Sequence, residues 1–89
     1  MQKIEIKTGI PIYLQIEHAL IVEIATRKIQ PGGRMPSLNE LHELHGCDRN
    51  TAVKIYARLK RDGFIDSQPS RGYTVAVGAV DKARSVLAG

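Results

Sequence analysis

The chain has one cysteine in 89 residues, Cys47, so no disulfide can form within it, and a reducing, cytosolic setting is expected. Long apolar runs are missing too. No stretch approaches the roughly 18 residues that a membrane-spanning helix needs, and no signal-peptide pattern opens the chain. There are no internal repeats and no low-complexity tracts, which excludes a repeat architecture. The groupings that carry catalysis are also absent. Cys47 has no plausible base, no carboxylate pair stands beside a histidine, and Gly32-Gly33 follows a helical pattern where a phosphate-cradling loop would follow a strand. An enzyme is not expected, and no cofactor is.

What is present fits one small domain. With 43% apolar residues the chain can build a single modest core. A domain of this size buries a limited share of its surface, so self-association is expected. The net charge is +4, and its placement says more than its size. Residues 49–61 hold five of the thirteen basic residues (Arg49, Lys54, Arg58, Lys60 and Arg61) and none of the nine acidic ones, which leaves the remainder at −1. A basic excess confined to one segment is the footprint of a nucleic-acid-binding element. A solvated helix face is the plain alternative, and charge alone does not separate the two.

Hydrophobic spacing divides the chain. Ile4 and Ile6 alternate with Lys3, Glu5 and Lys7, a short strand or arm that ends at residue 9. Pro11 suits the first turn of a helix, and Ile12, Tyr13, Ile16, Leu20 and Ile24 keep helical period up to Ile29, before the Pro31-Gly32-Gly33 breaker. Ser37 with Glu40 forms a capping box over a second helix that Gly46 can end. Asp48 caps a third, in which Ala52, Ile55, Tyr56 and Leu59 make one buried stripe closed by Asp62-Gly63. Phe64–Gln68 and Tyr73–Val77 read as a hairpin around Pro69-Ser70-Arg71-Gly72. Val80, Ala83, Val86 and Leu87 suggest a short amphipathic helix in the tail.

Two short helices joined by a tight glycine-containing turn, the second of them basic, make a helix-turn-helix. Burial of 52, 55, 56 and 59 leaves Arg49, Asn50, Val53, Lys54 and Ala57 on the outer side. The small neutral residues at 53 and 57 let this face approach a groove closely. Polar residues of the first turn reach base edges, since the helix enters the major groove N-terminus first. Arg49 suits guanine O6 and N7, and Asn50 suits adenine N6 and N7. Thr51 with the helix N-terminus suits a phosphate, as do Lys54, Arg58 and Arg61.

Here a family resemblance becomes specific. Pro11-Ile12-Tyr13, Pro31-Gly32-Gly33-Arg34-Met35-Pro36-Ser37, Asn50-Thr51, Arg61-Asp62-Gly63-Phe64-Ile65 and Arg71-Gly72 occur in order over residues 10–76. This set resembles the N-terminal winged-helix domain of GntR-family bacterial regulators, nearer to the YtrA-like and MocR-like branches. The resemblance implies an α+β winged helix-turn-helix of three helices and a two-stranded wing, here followed by a short C-terminal helix. The expected division is an arm at 1–9, the DNA-binding domain at 10–77 and the tail helix at 78–89. It also implies double-stranded DNA as partner, DNA contacts at Arg49, Asn50 and Thr51, a wing tip at Arg71 and Gly72 entering the minor groove, and a phosphate contact at Ser37. Asn39 and Val53 stand where many members carry arginine, so the bases read do not transfer from relatives.

The resemblance further implies a repressor that binds a palindromic operator as a homodimer, cytosolic and associated with the nucleoid. Relatives normally continue into an effector domain, whereas about a dozen residues follow the wing here. Either the chain is a stand-alone repressor, which a start at Met1 favours, or it is a fragment; no small-molecule effector is expected. The expected dimer surface is a second apolar strip on the first helix (Leu14, Ile21, Val22 and Ala25) joined by the tail from Val80 to Leu87. Scattered surface residues are the alternative. His42, His45 and Cys47 match no common zinc spacing and read as core or helix-end residues, so no metal is expected, although a partly buried His45 would titrate near neutrality. Two other functions fit the same elements. One is a plasmid-maintenance protein coating repeated sites, and the other is a winged-helix interaction module that has lost DNA binding.

Overall fold

A computed structural model describes residues 9–89; the segment read as an arm lies almost wholly outside the described residues. The elements run α1 (Ile12–Ala25), α2 (Leu38–His45), α3 (Arg49–Arg61), β1 (Ile65–Gln68), β2 (Gly72–Val75) and α4 (Ala79–Ala88). This is a winged helix-turn-helix with a fourth helix after the wing.

Pro11 is the N-cap of α1, and its carbonyl accepts from Leu14 and Gln15. Ile16, Leu20 and Ile24, four residues apart, are fully buried, so this row faces the core. The helix ends at Ala25, four residues before the expected stop at Ile29. The Lys28 N–H bonds to the Glu23 carbonyl and the Arg27 N–H to the Ile24 carbonyl, the two closures of a Schellman motif. Arg27 takes the left-handed position at φ 61°, and the Thr26 hydroxyl donates to the Val22 carbonyl at 2.9 Å. Competing local hydrogen bonds of this kind do not register in hydrophobic periodicity.

The helix-turn-helix forms as its caps dictate. Ser37 Oγ accepts from the Glu40 N–H at 3.1 Å and Glu40 Oε1 accepts from the Ser37 N–H at 3.0 Å, a complete capping box. Gly46 ends α2 at φ 68°, and Asp48 caps α3 by accepting the Thr51 N–H at 2.7 Å. The stripe Ala52, Ile55, Tyr56 and Leu59 is completely buried. Burying each of the large members is worth about 1.5–3 kcal/mol, enough to hold α3 against α1 and α2. The Tyr56 hydroxyl donates to the Pro36 carbonyl at 2.6 Å and its ring meets Tyr73 edge-on, 4.7 Å between centroids. One side chain thereby joins α3 to the start of α2 and to the wing.

β1 and β2 pair antiparallel, with Ile65 opposite Val75 and Gln68 opposite Gly72. The Arg71 N–H bonds to the Gln68 carbonyl, and Gly72 at φ 75° completes the turn in a conformation that a side chain would strain. The strands are shorter than expected at the far ends, starting at Ile65 and stopping at Val75. Residues 32–35, which read as a plain breaker, run along the other edge of β2. Their bonds are Gly32 N–H to the Val75 carbonyl, Val75 N–H to the Gly33 carbonyl and Met35 N–H to the Tyr73 carbonyl. Both edges of β2 are thus covered, and the wing is anchored directly to the segment that leads into α2.

α4 packs along α1, the most extensive contact between elements. Arg84 Nε donates to the Ala25 carbonyl at 3.1 Å, and Lys82 Nζ to the Asp62 carbonyl at 2.8 Å, so α4 bonds to the C-terminal carbonyls of both α1 and α3. This packing revises the expected dimer surface. Ile21, Ala25 and Val80 are buried within the single chain, at 6%, 6% and 4% exposure, and are unavailable to a partner. Apolar area leaves water at the first cover it meets, and the tail helix is attached to the same chain. Leu14 and Val22 are half-buried, and Leu87 stays exposed.

Candidate nucleic-acid interface

The geometry that points outward starts at the N-terminus of α3. Arg49, Asn50, Val53, Lys54 and Ala57 are all exposed, on the side opposite the buried stripe. Arg49 Nη1 donates to Asn39 Oδ1 at 2.8 Å, a bond across the turn between the first turns of α2 and α3. Spacing alone could not pair residues ten apart on different helices. The bond holds the guanidinium in front of the helix end and leaves its other N–H donors to reach a base edge.

Phosphate sites differ from expectation. The Asp48 carboxylate takes the Thr51 N–H, which also holds its pKa below the ordinary aspartate value. The Thr51 amide is therefore already used, beside a negative charge, which leaves Thr51 its hydroxyl. Ser37 Oγ accepts within the capping box, and its hydroxyl proton is still available to a phosphate oxygen.

The rear of α3 differs more. Arg58 Nε donates to Glu17 Oε2 at 2.6 Å, and the Arg58 side chain is 31% exposed. That hydrogen bond, then the charge of Glu17, raises the Arg58 pKa further above its ordinary value. Arg58 thus ties α3 to α1 through Glu17. Lys54 Nζ sits 4.0 Å from the centre of the Tyr13 ring, with the Arg58 guanidinium carbon 5.5 Å from it. Lys54 is exposed, and Arg61 pairs with neighbouring Asp62 at 3.1 Å. The sequence did not show that Glu17 and Tyr13 would meet α3, since their partners lie 41 or more residues away.

The wing places Arg71 and Gly72 at its exposed tip, where Arg71 Nη2 donates to the Gly32 carbonyl at 3.3 Å. Arg34 joins it, lining the same cleft with Pro69, Ser70, Arg71 and Gly72. Its side chain is 61% exposed, 3.5 Å from Glu40 Oε1. Only the pairing of residues 32–35 with β2 brings Arg34 to the wing, so spacing alone did not point to it. The structure thus brings Asn39, Arg49, Asn50, Val53 and Lys54 onto one exposed surface and puts Arg71 and Gly72 at a second.

The family of bacterial regulatory proteins described as the gntR family matches residues 12–75. This chain belongs to the GntR family. Among its relatives, the Escherichia coli regulator YdcR is 37% identical over 68 residues, covering 76% of this chain and 14% of YdcR. The Bacillus subtilis repressor YtrA is 30% identical over 79 residues, covering 89% of this chain and 61% of YtrA. The chain therefore spans less than two thirds of the length of either relative. A GntR-family regulator from Listeria monocytogenes shares the fold with a TM-score of 0.85 at 24% identity, covering 93% of this chain and 75% of the other. The AraR DNA-binding domain, solved in complex with operator ORE1, superposes with a TM-score of 0.73 at 28% identity, covering 85% and 93%. The chain is a DNA-binding domain of transcriptional regulators, a family of regulators and not of enzymes. No helix among the described residues is long and apolar enough to cross a membrane.

His42 and His45 lie in the second half of α2, and Cys47 lies in the turn that leads to α3. His42 Nδ1 donates to the Cys47 carbonyl. His45 is buried, and burial lowers its pKa below 6.5. Cys47 is a buried thiol whose pKa burial raises. No group of three His, Cys, Asp or Glu side chains among the described residues is arranged to hold a metal ion.

Proposed function

We propose that this domain represses transcription by binding a palindromic operator as a homodimer. The observation that carries the reading is the Arg49–Asn39 bond at the front of an exposed recognition helix, a guanidinium prepositioned over the groove-facing turn. Arg49 and Asn50 read bases, Ser37 and Lys54 meet phosphates, and Arg71 with Gly72 follows the minor groove, where a narrow electronegative channel favours arginine. Thr51 contributes its hydroxyl and not its amide. Because Ile21, Ala25 and Val80 are enclosed, the second copy meets the outward side of α4, where Val86 and Leu87 are 55% and 37% exposed, with Leu14 and Val22 at the margin. The site of action is the cytosol, on the nucleoid.

Selection of bound sequences from random double-stranded DNA tests this. The expected product is an inverted repeat with half-sites about one helical turn apart, bound with an affinity that falls steeply with salt. Absent or salt-independent binding would remove the DNA-reading function. A single unrepeated site, or an unchanged dimer in sedimentation of Leu87→Glu, would remove the α4 dimer.

A further inference from the structure

One residue on the groove-facing surface does not fit a purely polar recognition helix. Val53 is 47% exposed, the one large apolar side chain of the helix-turn-helix that points to solvent among the described residues. It stands one turn after Arg49 and three residues after Asn50, with Ala57 exposed one turn beyond. The core does not need it there, because the buried stripe of α3 is already complete without it. Its branched Cβ is also a poorer helix former than alanine or any long polar residue, so local propensity does not select it.

Apolar side chains have one natural partner on a base edge in the major groove: the C5-methyl group of thymine. Reach agrees with this. Arginine extends far enough to meet O6 and N7 of guanine, whereas valine ends one carbon beyond Cβ and meets only what projects into the groove, as the thymine methyl does. The helix rises about 1.5 Å per residue, so Val53 lies roughly 6 Å further along the axis than Arg49, the distance of one to two base steps. Ala57 adds no bulk that would hold the helix away from the groove.

We propose that Val53 is a specificity-determining residue that reads a thymine methyl group within one or two base pairs of the position read by Arg49. The proposal rests on the DNA-reading function proposed above, and deepens it by assigning an apolar base contact to a position where arginine is common in the family.

The test uses the 89-residue chain and the best-bound duplex recovered from random-sequence selection. Each thymine in a half-site is replaced in turn by deoxyuridine, which removes only the methyl group. At one thymine the wild type should lose affinity by about three- to ten-fold, the scale of one buried methyl group, and Val53→Ala should be nearly indifferent to the same replacement. Since position 53 is exposed and alanine favours helix, Val53→Ala should keep the helical circular dichroism of the wild type, and should bind the thymine duplex about as weakly as the wild type binds the deoxyuridine one. A 5-methylcytosine placed at that position should restore part of the lost contact. If no thymine is sensitive to its methyl group, or if Val53→Ala keeps the sensitivity, the assignment is overturned while DNA reading stands. If no duplex is selected at all, the DNA-reading function falls and this assignment with it.

Discussion

Two surface stripes look alike in the sequence as candidate binding surfaces, and the fold treats them in opposite ways. The basic outer side of α3 stays open, with Arg49, Asn50, Val53 and Lys54 exposed. The second apolar strip of α1 is closed by α4 of the same chain, with Ile21 and Ala25 buried and Arg84 bonded to the Ala25 carbonyl. Charge cannot be taken out of water cheaply, so a basic stripe remains a surface unless a partner supplies the opposite sign. Apolar area has no such requirement and goes to the nearest cover, which here is covalently attached. A charged stripe in a small domain is therefore stronger evidence of an external partner than an apolar strip of equal length.

The largest expected break in this contrast is Ile21→Glu. If the strip were an open dimer surface, the change would split a dimer and leave the protomer folded. In this fold it places a carboxylate under α4 and should destabilise the protomer by about 3 kcal/mol or more, read by urea unfolding. Arg49→Ala should do the reverse, lowering specific affinity by about 1–3 kcal/mol and relaxing the preference at one base pair, with an unchanged unfolding midpoint.

The contrast sharpens within α3 itself. Glu17→Gln should release Arg58 from its ion pair, steepening the dependence of log affinity on log salt by about one counterion, whereas Arg58→Ala in the wild-type background should leave that slope nearly unchanged. Fluorescence titration at several salt concentrations checks both. Arg58→Ala should also lower the unfolding midpoint modestly, because the tie to α1 is lost.

The smallest effect concerns the α3 cap. The Asp48 carboxyl is held below its ordinary 3.8 by the Thr51 N–H, so its stabilising contribution is present above that value and is lost as pH falls through the lower folded-state pKa. Asp48→Ala should lower the thermal midpoint by a few degrees near neutrality, and the gap to the wild type should close in acid. His45 acts in the same direction at higher pH. Its folded pKa lies below 6.5, so neutral His45 is favoured in the fold and stability should decline as pH drops below that value.

Much of the fold was legible because its signals are local. Ser37 with Glu40, Gly46, Asp48 and the stripe at 52, 55, 56 and 59 each state their role within a few residues of chain, and each takes that role in the structure. The end of α1 was not legible, because Thr26 and Arg27 stop the helix through backbone bonds that leave the apolar period running toward Ile29. The pairing of residues 32–35 with β2 was hidden for a related reason: four residues are too short to alternate visibly, and their partner lies some forty residues later. At the candidate interface, residue types were visible and their pairings were not.

The sequence by itself determined where the helices start, which side of α3 is buried, where the basic excess lies and to which family the chain belongs, since all of these rest on spacing and composition within one segment. Only the tertiary structure decided which of those charges and apolar residues are still available. Arg58 is taken by Glu17 and Ile21 is enclosed, while Arg49 is aimed by Asn39 and Arg34 is carried to the wing. Availability depends on what the remote parts of the chain bring alongside, and a one-dimensional pattern does not contain that information.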